Sequence, residues 1–134
     1  MKYKEVKEHY ESGHLKRHFF IDESGNKCGE YRSYHENGGL NSHYLKLRGS
    51  TYGEIMSFES DGTLYHNCLV DGKFFIIASV ISYDKPSTHS EVQLIQIAKE
   101  RGLPLLSELP KSEEGVTLWN LKWPDQPYLP IEFE

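Results

Sequence analysis

Cysteine is scarce in this chain. Cys28 and Cys68 are the only two, and neither sits at a metal-ligand spacing. That excludes a disulfide-built scaffold and a cysteine-rich zinc fold, and leaves two thiols expected to be free in a reducing cytoplasm. No apolar run approaches the roughly 20 residues needed to span a bilayer. The opening MKYKEVKEHY is too polar for a signal peptide, so a cytoplasmic location is expected. Basic residues are outnumbered 15 to 20, and the net charge of -5 argues against a broad grip on nucleic acid or an anionic membrane. Phosphate-cradling glycine loops, a GxSxG elbow and a Cys-His pair with an orienting partner are all missing. Aromatic residues, in contrast, are plentiful at 13%, with nine Tyr.

A length of 134 residues fits one domain or one domain with an appendage. The strongest signal within it is repetition. Gly29 to Leu40 reads GEYRSYHENGGL, and Gly53 to Leu64 reads GEIMSFESDGTL. Lys4 to Leu15, KEVKEHYESGHL, is an earlier copy. The second and third copies share Gly29/Gly53, Glu30/Glu54, Ser33/Ser57, Gly38/Gly62 and Leu40/Leu64. About one identity is expected by chance from ordinary residue usage. Repetition at this period marks stacked units.

Each copy predicts a hairpin. Ser12-Gly13, Asn37-Gly38 and Asp61-Gly62 suit two-residue I′ turns between segments that alternate in period two. A second echo follows each turn, in LKRHFF, LNSHYL and LYHNCL, and looser turns come after it. In the middle unit this register sets His35 opposite Leu40, Ser33 opposite Ser42 and Tyr31 opposite Tyr44. One face then carries Val6, Leu15, Phe19, Tyr31, Leu40, Tyr44, Ile55, Leu64 and Cys68, and is the expected core. The other carries the ladders Lys7/Arg32/Met56, His9/Tyr34/Phe58 and His18/His43/Asn67.

The pattern G-E-[aromatic or aliphatic]-x-x-[aromatic]-x-E-[N/D/S]-G-x-L resembles the MORN-repeat variant family over about residues 3 to 73. Departures are Lys4 at the leading Gly, His9 at an aromatic position and Ile55 where Trp or Tyr is usual. The resemblance implies an elongated, single-layered antiparallel meander of about three hairpin repeats, in a mainly β (α+β) fold.

Residues 1–73 form the repeat region, and residues 74–134 read as a C-terminal cap. Phe74 to Ile81 predicts a buried strand. Ser87-Thr88 with Glu91 predicts an N-cap and capping box, and Val92, Leu94, Ile95, Ile97 and Ala98 form a helical stripe ending at Gly102. The helix is expected at about 88–101. A further strand is expected at 116–123, followed by an extended tail through Pro124, Pro127 and Pro130. A single-layered sheet leaves faces and edges open, so such a helix supplies a second layer.

The seven histidines invite a metal or catalytic reading. On a strand, however, His14 and His18 stand about 13 Å apart, and two imidazoles at His18 and His43 fall short of a zinc site. Glu5, Glu30 and Glu54 recur with the unit, so they serve the unit rather than one reactive centre. Neither a metal nor a cofactor is expected, and the protein is read as a non-enzyme. Arg32, Tyr34, His43, Phe58, His9, His18 and Tyr65 form the candidate recognition face, by their hot-spot composition. Trp119, Trp123 and Tyr128 are candidate tail contacts, in a PxxPxxP segment suited to a polyproline helix.

The leading expectation is a protein-binding module. The family resemblance implies an antitoxin-like or phage-encoded inhibitor acting on a toxin, defence or host protein. The alternatives are a MORN-type adaptor at a membrane or scaffold, and a small-ligand or metal-dependent enzyme using His18 and His43. Homodimerisation through the edge strand that begins at Tyr3 is a further option.

Overall fold

The computed structural model describes residues 2–47, 50–71, 76–82, 86–108 and 132–133. Seven strands follow one another in an antiparallel meander: β1 (Lys2–His9), β2 (Leu15–Ile21), β3 (Lys27–Tyr34), β4 (Leu40–Leu47), β5 (Ser50–Phe58), β6 (Leu64–Asp71) and β7 (Ile76–Ile81). Among the described residues, one helix, α1 (Glu91–Arg101), and a single 3-10 turn at Leu106–Glu108 come after them. A two-residue strand, β8 (Glu132–Phe133), pairs in parallel with Lys2 and Tyr3 at the free edge of β1. The chain's own tail thus occupies the start of that edge.

The hairpin turns differ from the expected I′ form. In each unit the turn is closed by a pair of backbone bonds around three loop residues, as in Gly38 N to His35 O (2.9 Å) and His35 N to Gly39 O (2.8 Å). Tyr10–His14, Asp22–Asn26 and Glu59–Thr63 are closed the same way. The third loop residue is always a glycine at positive φ: Gly13, Gly25, Gly38 and Gly62. This is the three-residue loop with a bulge, in which only that last position must be left-handed. The looser turn at Asp22–Gly25 is therefore the same device as the tight ones. The extra loop residue moves the register, so Tyr34 stands opposite Leu40 instead of His35, while Tyr31/Tyr44 and Ser33/Ser42 pair as expected.

The face assignment is also corrected. Beyond His18, His43 and Asn67 the next residues on the same face are Phe20, Leu45 and Leu69, all buried. The helix packs on that face: Tyr52, Leu69 and Ala78 form one cluster with Leu94, Ala98, Leu103 and Leu105. Fully burying a Leu such as Leu69 or Leu94 contributes about 1.5–3 kcal/mol. The face expected to be the core instead bears a cross-strand stack of Phe19, Tyr31 and Tyr44. Its Phe19, Tyr31 and Cys68 are nevertheless buried.

The helix begins later than its sequence signature suggests. Ser90 is the N-cap: its hydroxyl accepts from Gln93 N, and Gln93 Oε1 accepts from Ser90 N, completing the capping box. Thr88 is engaged elsewhere, its Oγ1 accepting from Ser79 N while its own N–H donates to Ser79 O, which extends the edge of β7. Gly102 ends the helix in the left-handed region. Strand β7 starts at Ile76, which is 56% exposed, and its buried centre is Ala78 and Ser79. Residues 74–75, the strand expected at 116–123 and the proline tail through Pro130 lie outside the described residues. Among the described residues, no helix is long and apolar enough to cross a membrane.

Candidate functional site

The repeated Gly-Glu has a single structural role. Across the β2–β3 pairing, Phe20 faces Cys28 and His18 faces Arg32, so Phe19 alone is matched by Gly29, Glu30 and Tyr31. The β4–β5 pairing repeats this, with Tyr44 matched by Gly53, Glu54 and Ile55. Gly29 and Gly53 take φ of 76° and 87°, which permits the bulge. The glutamate that follows is turned toward the helix-bearing face. Unit one has Lys4 at the glycine position, and the strand beside β1 on that side is the parallel β8.

Those glutamates meet a partner 13 residues on. His18 Nε2 lies 3.1 Å from Glu5, His43 Nε2 lies 2.6 Å from Glu30, and Asn67 Nδ2 donates to Glu54 over 3.1 Å. Glu30, only 1% exposed, also accepts from Arg32 Nε at 2.9 Å. Glu54 accepts from the backbone N of Leu106 at 3.0 Å, tying the third unit to the segment after the helix. Each carboxylate therefore holds its own hairpin together, and the interval of 13 residues was visible in the sequence as Glu5/His18, Glu30/His43 and Glu54/Asn67. Burial pushes the His18 pKa down, against the upward pull of Glu5.

Neighbouring units are joined at their turns. Tyr10 Oη donates to Tyr34 O over 2.7 Å, and His35, at the equivalent place one unit on, donates from Nε2 to Phe58 O over 2.8 Å. Asn37 Nδ2 donates to Ser60 O. His66 contacts Cys68 Sγ and His89 contacts Thr88, so five histidines are engaged in bonds of the scaffold. Burial raises the Cys28 thiol to about 12 and that of Cys68 to about 11, which keeps both protonated near neutral pH.

The candidate recognition residues therefore divide. His18 is buried against Glu5, while Arg32 and His43 meet at Glu30. Tyr34, Phe58 and Tyr65 are half-buried and His9 is exposed, with Tyr34 and Phe58 lending their carbonyls to the turn contacts. Trp119, Trp123 and Tyr128 lie outside the described residues. Among the described residues, no group of three or more His, Cys, Asp or Glu is placed to hold a metal ion.

An ordered array occupies the opposite face, with Phe19 and Tyr31 buried and Tyr44 half-buried. Phe19 and Tyr31 stack with centroids 5.5 Å apart, and Tyr31 and Tyr44 at 4.7 Å. Lys27 Nζ lies over both Phe19 (5.2 Å) and Tyr31 (5.5 Å), and Lys46 Nζ over Tyr44 (5.3 Å). Arg17, in an ion pair with Glu8, stands over Phe19 at 5.9 Å. Ser33 and Ser42 share a hydrogen bond in the adjoining row. Sequence reasoning assigned these rings to the core; Phe19 and Tyr31 are buried, while the helix packs on the other face.

No protein-family model, curated protein or solved structure matches the chain.

Proposed function

We propose that this protein is a non-catalytic binding module, cytoplasmic in location, that holds another protein and neutralises it, as an antitoxin-like or phage-encoded inhibitor does. The observation that carries the reading is the Phe19–Tyr31–Tyr44 stack with Arg17, Lys27 and Lys46 around it. Aromatic and cationic side chains held in a rigid array are the composition of interface hot spots. Their fixed stacking means that little side-chain entropy is lost on docking. The histidines and repeated glutamates give further support, since their bonds serve the hairpins and their joints. The MORN-variant likeness of the repeat agrees with an adhesive role, by analogy of fold.

The test is affinity capture from the source cell with the full chain as bait. One protein recovered at a one-to-one ratio, and lost with Tyr44→Ala, is the expected result. Recovery of no stoichiometric protein by the wild-type chain overturns the proposal.

A further inference from the structure

Lys27 and Lys46 are the two lysines set over the ring stack. Arg17 is matched by Glu8, and Arg32 by Glu30. Among the described residues, no carboxylate forms an ion pair with Lys27 or Lys46, in a chain where acidic side chains are in the majority. The two ammonium groups lean over one continuous ring stack. Directly across from Lys46 on β3 is Gly29, so no side chain stands between the two lysines at that point. On the other side Lys46 donates to Thr51 Oγ1 over 3.1 Å. Burial and the nearby charge of Lys27 both lower the Lys46 pKa, the sign of a cation set beside another without an anion to balance it.

We propose that the Lys27/Lys46 pair, over the Phe19–Tyr31–Tyr44 stack, is the docking point for a carboxylate-rich segment of a protein partner. This deepens the binding-module reading and rests on it. Phe19 and Tyr31 are already buried and Tyr44 is half-buried, so the contact is made by the two ammonium groups, which match the carboxylates of a short acidic stretch. Charge complementarity favours such a segment over a nucleic acid. A polyanion gains affinity by giving up counterions at many phosphate contacts. Here two neighbouring lysines share one ring stack, on a body whose net charge is -5.

The probe is a Glu-rich twelve-residue peptide, titrated into the full chain at low salt while the ring resonances of Tyr31 and Tyr44 are followed by NMR. Saturable binding that shifts both rings is expected. The double variant Lys27→Gln/Lys46→Gln should weaken it roughly fivefold to tenfold, in line with two partly exposed charge pairs. Lys4→Gln/Lys7→Gln makes the same change in net charge away from the stack and should leave binding unaltered. Equal loss in the two variants, no saturable binding, or equal binding of inorganic phosphate or anionic vesicles each overturns the proposal. If the wild-type chain captures a stoichiometric protein and the Lys27→Gln/Lys46→Gln chain captures it equally well, the docking point is wrong and the binding function stands. If the wild-type chain captures none, the binding function fails, and the peptide titration still judges the patch. Unchanged far-ultraviolet dichroism confirms that each variant is folded.

Discussion

Two glycines with nearly the same backbone angle separate conformational strain from close approach. Gly62 has φ of +92° and nothing within 4 Å of where a β-carbon would stand, whereas at Gly53, with φ of +87°, that carbon would lie 2.6 Å from Pro104 O. Gly62→Ala should cost about 1 kcal/mol from strain alone. Gly53→Ala should cost at least about 2 kcal/mol more, because the backbone at Pro104 must also move and with it the bond from Glu54 N. Urea midpoints of the two variants, compared at equal slope, measure the difference. His18 yields a second expectation. Its folded pKa lies below the unfolded value of about 6.5, so the unfolded chain binds the proton more readily. Its contribution to stability is therefore full above pH 6.5 and falls as the pH drops through the folded pKa. His18→Asn, which imitates Asn67 of the third unit, should flatten the loss of stability as the pH falls below 6.5. Denaturation curves at several pH values check this, and an unchanged slope would count against it.

Among the elements, the helix start offers the cleanest comparison. Ser90→Ala should destabilise by about 1 kcal/mol by removing the cap on Gln93 N. Thr88→Ala should act on a different observable, since Thr88 bonds Ser79 in β7: faster amide exchange at Ser79 is expected, with the helix amides protected as before. Hydrogen-exchange NMR distinguishes the two. The expected cap was Thr88 with Glu91, and Ser90 with Gln93, the pair that forms, stands at the same spacing two residues on. Which one starts the helix depends on where β7 captures the chain, and local composition holds no record of that. Strand existence and the pairing of Tyr31 with Tyr44 were legible, because a period of two leaves few choices. The loop length was not, since Asn-Gly and Asp-Gly suit either turn form until the closing bonds are seen.

For the molecule as a whole, the unit should be removable. Each carboxylate bonds within its own hairpin, and Glu5–His18 and Glu54–Asn67 both survive deletion of residues 29–52. Joining Cys28 to Gly53 restores the same bulge glycine after the same strand position. A chain so shortened should unfold cooperatively at a lower temperature, as stacked repeats do. A twelve-residue deletion, 29–40, removes a strand and reverses chain direction, and should abolish the cooperative transition. Thermal dichroism of both deletions tests the repeat as the unit of construction.

Repetition alone determined the meander and its hairpins, because a motif written three times makes the same kind of turn each time. The choice of face was left to tertiary structure. Both faces of a strand with aromatic residues on one side and His, Phe and Leu on the other are apolar enough to be buried. The helix settles the matter by seating Leu94 and Ala98 against Leu69 and Ala78, where small and branched side chains interlock. The rings of Phe19, Tyr31 and Tyr44 are then left to cover one another beneath their lysines.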